Sequence, residues 1–424
     1  MSDGTEIRLL ESAFSAALDA VRPELLIPAT IAEIDAHSPA LVLGAGKAAA
    51  AMAAAFHANW RAPVRGLVVT RYEHGLREGE SAGDIEIIEA GHPLPDEASI
   101  VAGRRLLELA AGAGADETLF FLASGGGSAL ASAPIEGIEF AAKREAASHL
   151  MDSGAGIGEL NCVRKHLSAL KGGRLAVAAR PAPVTTWAIS DIPGDEIGDI
   201  ASGPTIPDRT TQGEAIEILR LYDYPKLDVL MPVLVDPARE SPKPVDPAFA
   251  DGQSRIIGTA RQALAAAASV LESADYEVLL LGDDLDDEAE ALGRAHGRLA
   301  RELHAAGRRV AILSGGETRV VISGERGQGG RNLVYLSGLV LELDGHPGIS
   351  ALAADTDGID GHGGHAGGMV LPSTLSVGAK RGVSLNALLA RNDSYTFFDA
   401  CDLLIKTGPT RTNVNDFRVI LCRP

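Results

Sequence analysis

Leu119-Phe120-Phe121-Leu122-Ala123-Ser124-Gly125-Gly126-Gly127-Ser128-Ala129 joins a short apolar segment to a run without a bulky side chain. The apolar part reads as a buried strand. The run Ser124 to Ser128 lets backbone N–H groups approach an anion closely, and a following helix adds its positive end. Such a turn cradles phosphate; the plainer alternative is a tight strand-to-helix connection. A weaker copy, Leu313-Ser314-Gly315-Gly316-Glu317-Thr318, follows a second apolar strand. Two such turns, one in each half of the chain, predict two α/β lobes facing one cleft.

Outward from that stretch the pattern alternates. Strands are expected over 40–43, 66–70, 85–89, 118–123 and 184–190. Helices are expected over 5–21, 48–60, 104–111, 139–153 and 156–169. Alternation of this kind predicts a Rossmann-like, doubly wound, largely parallel sheet. Residues 223–256 carry Pro225, Pro232, Pro237, Pro242, Pro244 and Pro247 and read as a connection between domains. The first domain is therefore taken as 1–240 and a second α/β domain as 241–424. In the second, helices over 259–274, 287–306 and 330–343 alternate with strands over 277–281, 309–314, 320–322, 349–353 and 417–421.

A length of 424 residues favours two cores over one. The net charge of −19 excludes a nucleic-acid binder, which needs a basic footprint, and a dock for anionic membranes. Cys162, Cys401 and Cys422 are scattered and form no CxxC, which fits a reducing cytoplasm. Residues 1–10 lack the apolar core of a signal peptide, and no apolar run is long enough to span a membrane.

Six segments carry chemistry. Gly44-Ala45-Gly46-Lys47-Ala48-Ala49 matches G-x-G-x-x-A after a strand, but the next strand ends Val69-Thr70-Arg71, without the carboxylate that holds a nicotinamide ribose. Its lysine instead places a cation where a helix start favours anions. In residues 161–174, Arg164, Ser168 and Lys171 fall on roughly one helical face, suited to a carboxylate or phosphate. Asp191, in Ser190-Asp191-Ile192-Pro193-Gly194-Asp195, stands at a strand end, where α/β folds place ligand-binding carboxylates; Ser202-Gly203-Pro204-Thr205 follows. Residues 353–368 hold Asp355, Asp357, Asp360, His362 and His365, either a metal loop or a turn of Asp and Gly. Arg331, between Gly330 and Asn332, is placed to enter a cleft and stabilise a transferring phosphoryl group. Residues 407–416, with Thr410 and Asn413, form a polar loop that either touches a nucleotide or substrate or simply turns.

With these segments in order, the chain resembles the class II glycerate 2-kinases, whose C-terminal part is called the MOFRL domain. GAGKA at 44–48, SGGGSAL at 124–130, NxVRKHLSxxKGGRLA at 161–176 and SDxxGD at 190–195 carry the resemblance in the first half. SGPT at 202–205, SGGE at 314–317, GGRN at 329–332, DTDGxDG at 355–361 and TGPTxTNVND at 407–416 complete it. The resemblance implies ATP- and Mg²⁺-dependent phosphorylation of D-glycerate to 2-phosphoglycerate in a cleft between two α/β domains. It points to Lys47 and Arg331 as the active-site cations. On this reading Asp191, with Asp355 or Asp357, holds Mg²⁺ or accepts the hydroxyl proton. Gly44, Gly46, Ser124, Gly125, Gly126, Gly127 and Ser128, with Arg164 and Lys171, contact substrate or nucleotide. So do Ser314, Gly315, Gly316, Glu317, Asn332, Thr410 and Asn413. A homodimer is among the assemblies allowed. The competing readings are an NAD(P)H-dependent hydroxypyruvate reductase, weakened by the missing ribose carboxylate, and a sugar-phosphate-binding module without turnover.

Overall fold

The computed structural model describes residues 3–322, 324, 327–361 and 364–424. The chain divides into two compact units, Pro23–Ile257 and a second made of Met1–Arg22 with Gly258–Pro424. The sequence boundary was drawn at 240/241. The units instead part at 257/258, and the first helix, Asp3–Asp19, packs with the second unit against the helix Ala260–Glu272.

Within Pro23–Ile257 the strands are β1 (Ala40–Ala45), β2 (Val64–Arg71), β3 (Asp84–Ala90), β4 (Thr118–Ala123), β5 (Val184–Ile189) and β6 (Gln253–Gly258). Their order is β3-β2-β1-β4-β5-β6, and β1 lies parallel to both β2 and β4, as β2 does to β3 and β4 to β5. This is the order of a dinucleotide-binding sheet, with its direction of winding reversed between β1 and β4. Side chains alternate across the sheet. Leu41, Leu43, Leu119 and Phe121 pack against the helix Glu97–Ala111 side of the core. Phe120 and Trp187 form an aromatic cluster with Phe56 and Trp60, at the end of the Ala-rich helix Ala49–Asn59. Small side chains on that helix let it lie close to the strands.

The proline-rich stretch is not a bare connection. It contributes the helix Leu227–Leu234, with Pro232 inside it, and the last strand of this first sheet. Leu230, Val233 and Leu234 are buried with Ala215 and Leu219 of the helix Gln212–Leu221 in a helical subcore. Apolar burial there outweighs the helix-breaking tendency of proline.

The second unit holds β7 (Glu277–Leu280), β8 (Val310–Gly316), β9 (Ile349–Asp355), β10 (Gly367–Val370), β11 (Leu404–Ile405) and β12 (Asp416–Cys422) in the order β11-β10-β9-β12-β8-β7. Among the described residues of this sheet only β7 and β8 pair in parallel; β12 is inserted antiparallel between β8 and β9, so uniform βαβ winding stops here. Residues 320–322 form no strand, and Val321 and Ile322 are exposed. The helices Ala289–Ala305 and Arg331–Leu343 pack tightly: a Cβ on Gly293 would sit 2.0 Å from the Tyr335 carbonyl oxygen. Among the described residues no helix is long and apolar enough to cross a membrane.

Candidate active site

In the first unit the reversal of strand order brings two of the sequence motifs together. The GAGK turn leaves β1 and the SGGG turn leaves β4. The N–H of Lys47 donates to the Gly125 carbonyl at 2.8 Å, and the N–H of Ala48 donates to Ser124 Oγ at 3.0 Å. Gly46, with φ of 147°, permits this contact: a Cβ there would lie 2.1 Å from Ser124 Oγ. Thr70, at the end of β2, donates its hydroxyl to the Lys47 carbonyl at 3.3 Å. Gly126 faces His92 and the stem of Lys47. The crevice beyond the carboxyl ends of the strands, where such sheets bind ligands, is thus built around Lys47. Asp191 follows β5 on the same edge and is half-buried.

Two expectations about this unit change. The helix after the SGGG turn is a single turn, Gly127–Leu130, so its dipole adds little. The helix expected over 156–169 ends at His166, and Ser168 and Lys171 lie in the turns beyond it. Lys171 is nonetheless buried near Arg164, because its ammonium donates to the carbonyls of Ala131 and Ala201, both at 3.3 Å. Ala201 and Ser202 of the SGPT turn have φ of 54° and 58°, a left-handed geometry that strains non-glycine residues. It aims Ser202 Oγ at Ser128 Oγ, 2.6 Å away, and at Asn161 Oδ1, 3.0 Å away.

Lys143 was missed in the sequence. It sits in the helix Phe140–Asp152 amid charged neighbours, yet it shares the buried face with Ala146 and Leu150. That spacing was the available signal. Burial, and then the charge of Arg164, lowers its ammonium to about 7. Burial lowers Arg164 to about 10.

In the second unit the ends of β8, β9 and β12 meet the start of the helix Arg331–Leu343. Arg331 donates to Asp416 at 2.8 Å, to Glu317 at 2.6 Å and to Asp355 at 2.7 Å. Burial opposes its charge, but Asp416, Asp355 and Glu317 hold its pKa well above the ordinary value. Asn332 donates to Asp416 at 2.8 Å, and Asp360 accepts the N–H groups of Asn332 and Leu333, capping the helix. Burial, then the Asp416 charge, pushes the Asp360 carboxyl up to about 7. Asp416 also receives Arg418 at 2.6 Å; burial pushes its carboxyl up, but Arg331 and Arg418 outweigh burial and hold it low. Asp360 stood among the carboxylates of the 353–368 loop, but as a metal-loop candidate and not as a helix cap; Asp416 and Arg418 were not singled out as charges of this centre.

The second glycine motif is not a turn. Ser314, Gly315 and Gly316 are the last residues of β8, and Glu317 follows them. Gly315 and Gly316 offer carbonyls to Arg418, at 2.8 and 3.5 Å. In the Asp355 loop, Asp355 accepts the Asp357 N–H at 2.9 Å and Asp357 accepts the Ile359 N–H at 2.8 Å. Thr410 donates its N–H to the Asp357 carbonyl at 3.0 Å, and Asn413 accepts the Asn415 N–H at 3.3 Å. His365 is fully buried; His362 and Gly363 lie outside the described residues. Among the described residues no group of three or more His, Cys, Asp or Glu is arranged to hold a metal ion.

Comparison with known proteins joins these motifs to a family. Residues 9–231 match a model described as a domain of unknown function (DUF4147), and residues 310–416 match the MOFRL family. A protein of Agrobacterium vitis named "Putative hydroxypyruvate reductase" is 42% identical, over 99% of this chain and 95% of its own. The D-glycerate 2-kinase of Thermotoga maritima is 36% identical, over 94% of each chain. The crystal structure of glycerate kinase from Thermotoga maritima superposes with a TM-score of 0.87 at 34% identity, covering 99% of this chain and 100% of that one. The chain belongs to the glycerate kinase family that carries a C-terminal MOFRL domain.

Proposed function

We propose that this protein transfers a phosphoryl group from ATP to the 2-hydroxyl of D-glycerate. The observation that carries the reading is Lys47, seated by its backbone bond to Gly125 where the winding of the sheet reverses. Phosphoryl transfer depends mainly on positioning and on charge stabilisation. Lys47 neutralises phosphoryl oxygens. Arg331 adds a second cation whose aim is fixed by the buried Asp355 and Asp416. Its third partner, Glu317, is 57% exposed and is the one a phosphoryl oxygen displaces. Asp191, Asp355 and Asp357 share the tasks of accepting the hydroxyl proton and holding Mg²⁺. Their oxygens are hard donors of the kind Mg²⁺ takes, one or two at a time beside substrate phosphates. Bound there, the ion supplies further neutralisation of phosphate charge. Three buried, free cysteines suit a reducing cytoplasmic setting.

The reductase reading finds support in the names of two relatives, but β2 ends Thr70-Arg71, with no carboxylate in the ribose position. Two assays separate the readings. Purified protein with D-glycerate and ATP should release ADP and 2-phosphoglycerate, resolved from 3-phosphoglycerate by a coupled enzyme. With hydroxypyruvate it should leave NADH and NADPH unconsumed; steady consumption without ADP release would overturn the kinase reading.

A further inference from the structure

Two lysines in the first unit, Lys143 and Lys171, are buried without an anion, and Arg164 beside them is half-buried. The ammonium of Lys143, in a residue 7% exposed, donates to Ser132 Oγ at 3.4 Å. Lys171 is 1% exposed and meets only backbone carbonyls. Arg164 reaches Met151 Sδ at 3.6 Å. All three line one cavity of about 50 Å³, together with Ser128 and Ser132, and no Asp or Glu is among its walls. None of the three forms an ion pair with a described residue. Burying one uncompensated charge costs several kcal/mol, and like charges sharing a site add to that. The strained SGPT turn, which delivers the Ala201 carbonyl to Lys171, is a second departure from the easy fold at the same place. Both departures make sense if an anion completes the pocket.

Size and position narrow the anion. Pockets that enclose a drug-sized ligand run to about 300–1,000 Å³, far above this one, and a nucleotide is no smaller. An acid group on a short stem fits. Ser128 belongs to both the cavity wall and the turn beside Lys47, so an acid held here keeps its hydroxylated carbons next to the crevice. We propose that Lys143, Arg164 and Lys171 form the subsite for the carboxylate of the hydroxy-acid acceptor. The identity of that acid rests on the kinase reading; the presence of an anion subsite does not.

The test is calorimetric titration of the full chain with D-glycerate, glycerol and ATP, for the wild type, Lys143→Met and Arg164→Gln. D-Glycerate should bind at least about tenfold more weakly to each variant, the loss of one charge-assisted contact. ATP affinity should stay within about twofold, and glycerol, which lacks the carboxylate, should bind none of the three proteins measurably. The unliganded Lys143→Met protein should melt higher than wild type, which a merely structural lysine would not allow. Weakened ATP with unchanged D-glycerate would move the cluster to nucleotide phosphate and overturn the proposal. So would equal weakening of every ligand with a lower melting temperature. Failure of the kinase reading looks different: D-glycerate would still bind in a Lys143-dependent way without ADP release.

Discussion

Both units bury basic side chains beside their glycine-rich motifs, and they treat the charge in opposite ways. In the second unit Arg331 and Arg418 are bracketed by Asp416, with Asp355 and Glu317 completing Arg331. The arginines depress Asp416, and the carboxylates raise Arg331. In the first unit Lys143, Arg164 and Lys171 are all lowered by burial, and no anion among the described residues offsets it. A network that compensates itself keeps its charges paired without a ligand, and the exposed Glu317 is the one partner it can give up to an incoming anion. It ties the ends of β8, β9 and β12 to one helix. A cluster that does not compensate itself is complete only with its ligand. The contrast separates a scaffold from a receptor more sharply than the shared glycine patterns do.

The strongest way to break the contrast is to remove the anion at the centre of the scaffold. Asp416→Asn keeps the shape but leaves two buried arginines short of a carboxylate. Stability should fall by about 3–5 kcal/mol, read from urea unfolding. A neutral result would mean that the network is not what holds those strand ends. Next in size is Lys47→Met, which leaves the scaffold alone. Loss of one charge-stabilising donor should lower kcat by about 10²–10³, or ~3–4 kcal/mol, with the unfolding midpoint little changed. Near-normal turnover would remove Lys47 from the chemistry.

How much of this was legible in the sequence follows the same division. Local rules exposed β1, β4 and β5, the GAGK and SGGG turns, and the helix Arg331–Leu343, because apolar period and glycine placement act over a few residues. They misread the stretch at 223–256, since proline composition says nothing about burial by a distant helix. They also took Ser314-Gly315-Gly316 for a turn. In β8 these glycines extend the strand, where their carbonyls serve Arg418 from a strand about a hundred residues later. Arg164 and Lys171 were found for an incorrect reason, a shared helical face, and Lys143 was not singled out at all. Which charges lose their counter-ions is decided by tertiary packing, and that is not written in spacing.

The receptor half of the comparison carries the two smaller predictions, and pH joins them. In the unfolded chain Lys143 titrates near its ordinary 10.5; in the folded, unliganded pocket it titrates at about 7. Below pH 7 both states hold the proton, and the folded state bears the full burden of the buried charge. Between pH 7 and 10.5 the unfolded state binds the proton and the folded state does not, so stability of the unliganded protein rises with pH. Lys143→Met has no proton to lose. It should be more stable than wild type by about 2 kcal/mol near pH 7, with the gap closing as pH rises. The bound carboxylate reverses the preference, because it raises the lysine's pKa and must find it charged. Arg164, Lys171 and Arg144 are the other charged groups on the cavity wall, all cationic, so nothing there offsets the effect. Above pH 7 the Kd for D-glycerate should therefore climb about tenfold per pH unit for each lysine that takes up a proton on binding. Calorimetry between pH 6.5 and 9 reads that slope, and Lys143→Met should reduce it by one proton. Equal slopes in the two proteins would show that Lys143 does not meet the anion, and the receptor would have to be rebuilt around Lys171 and Arg164 alone.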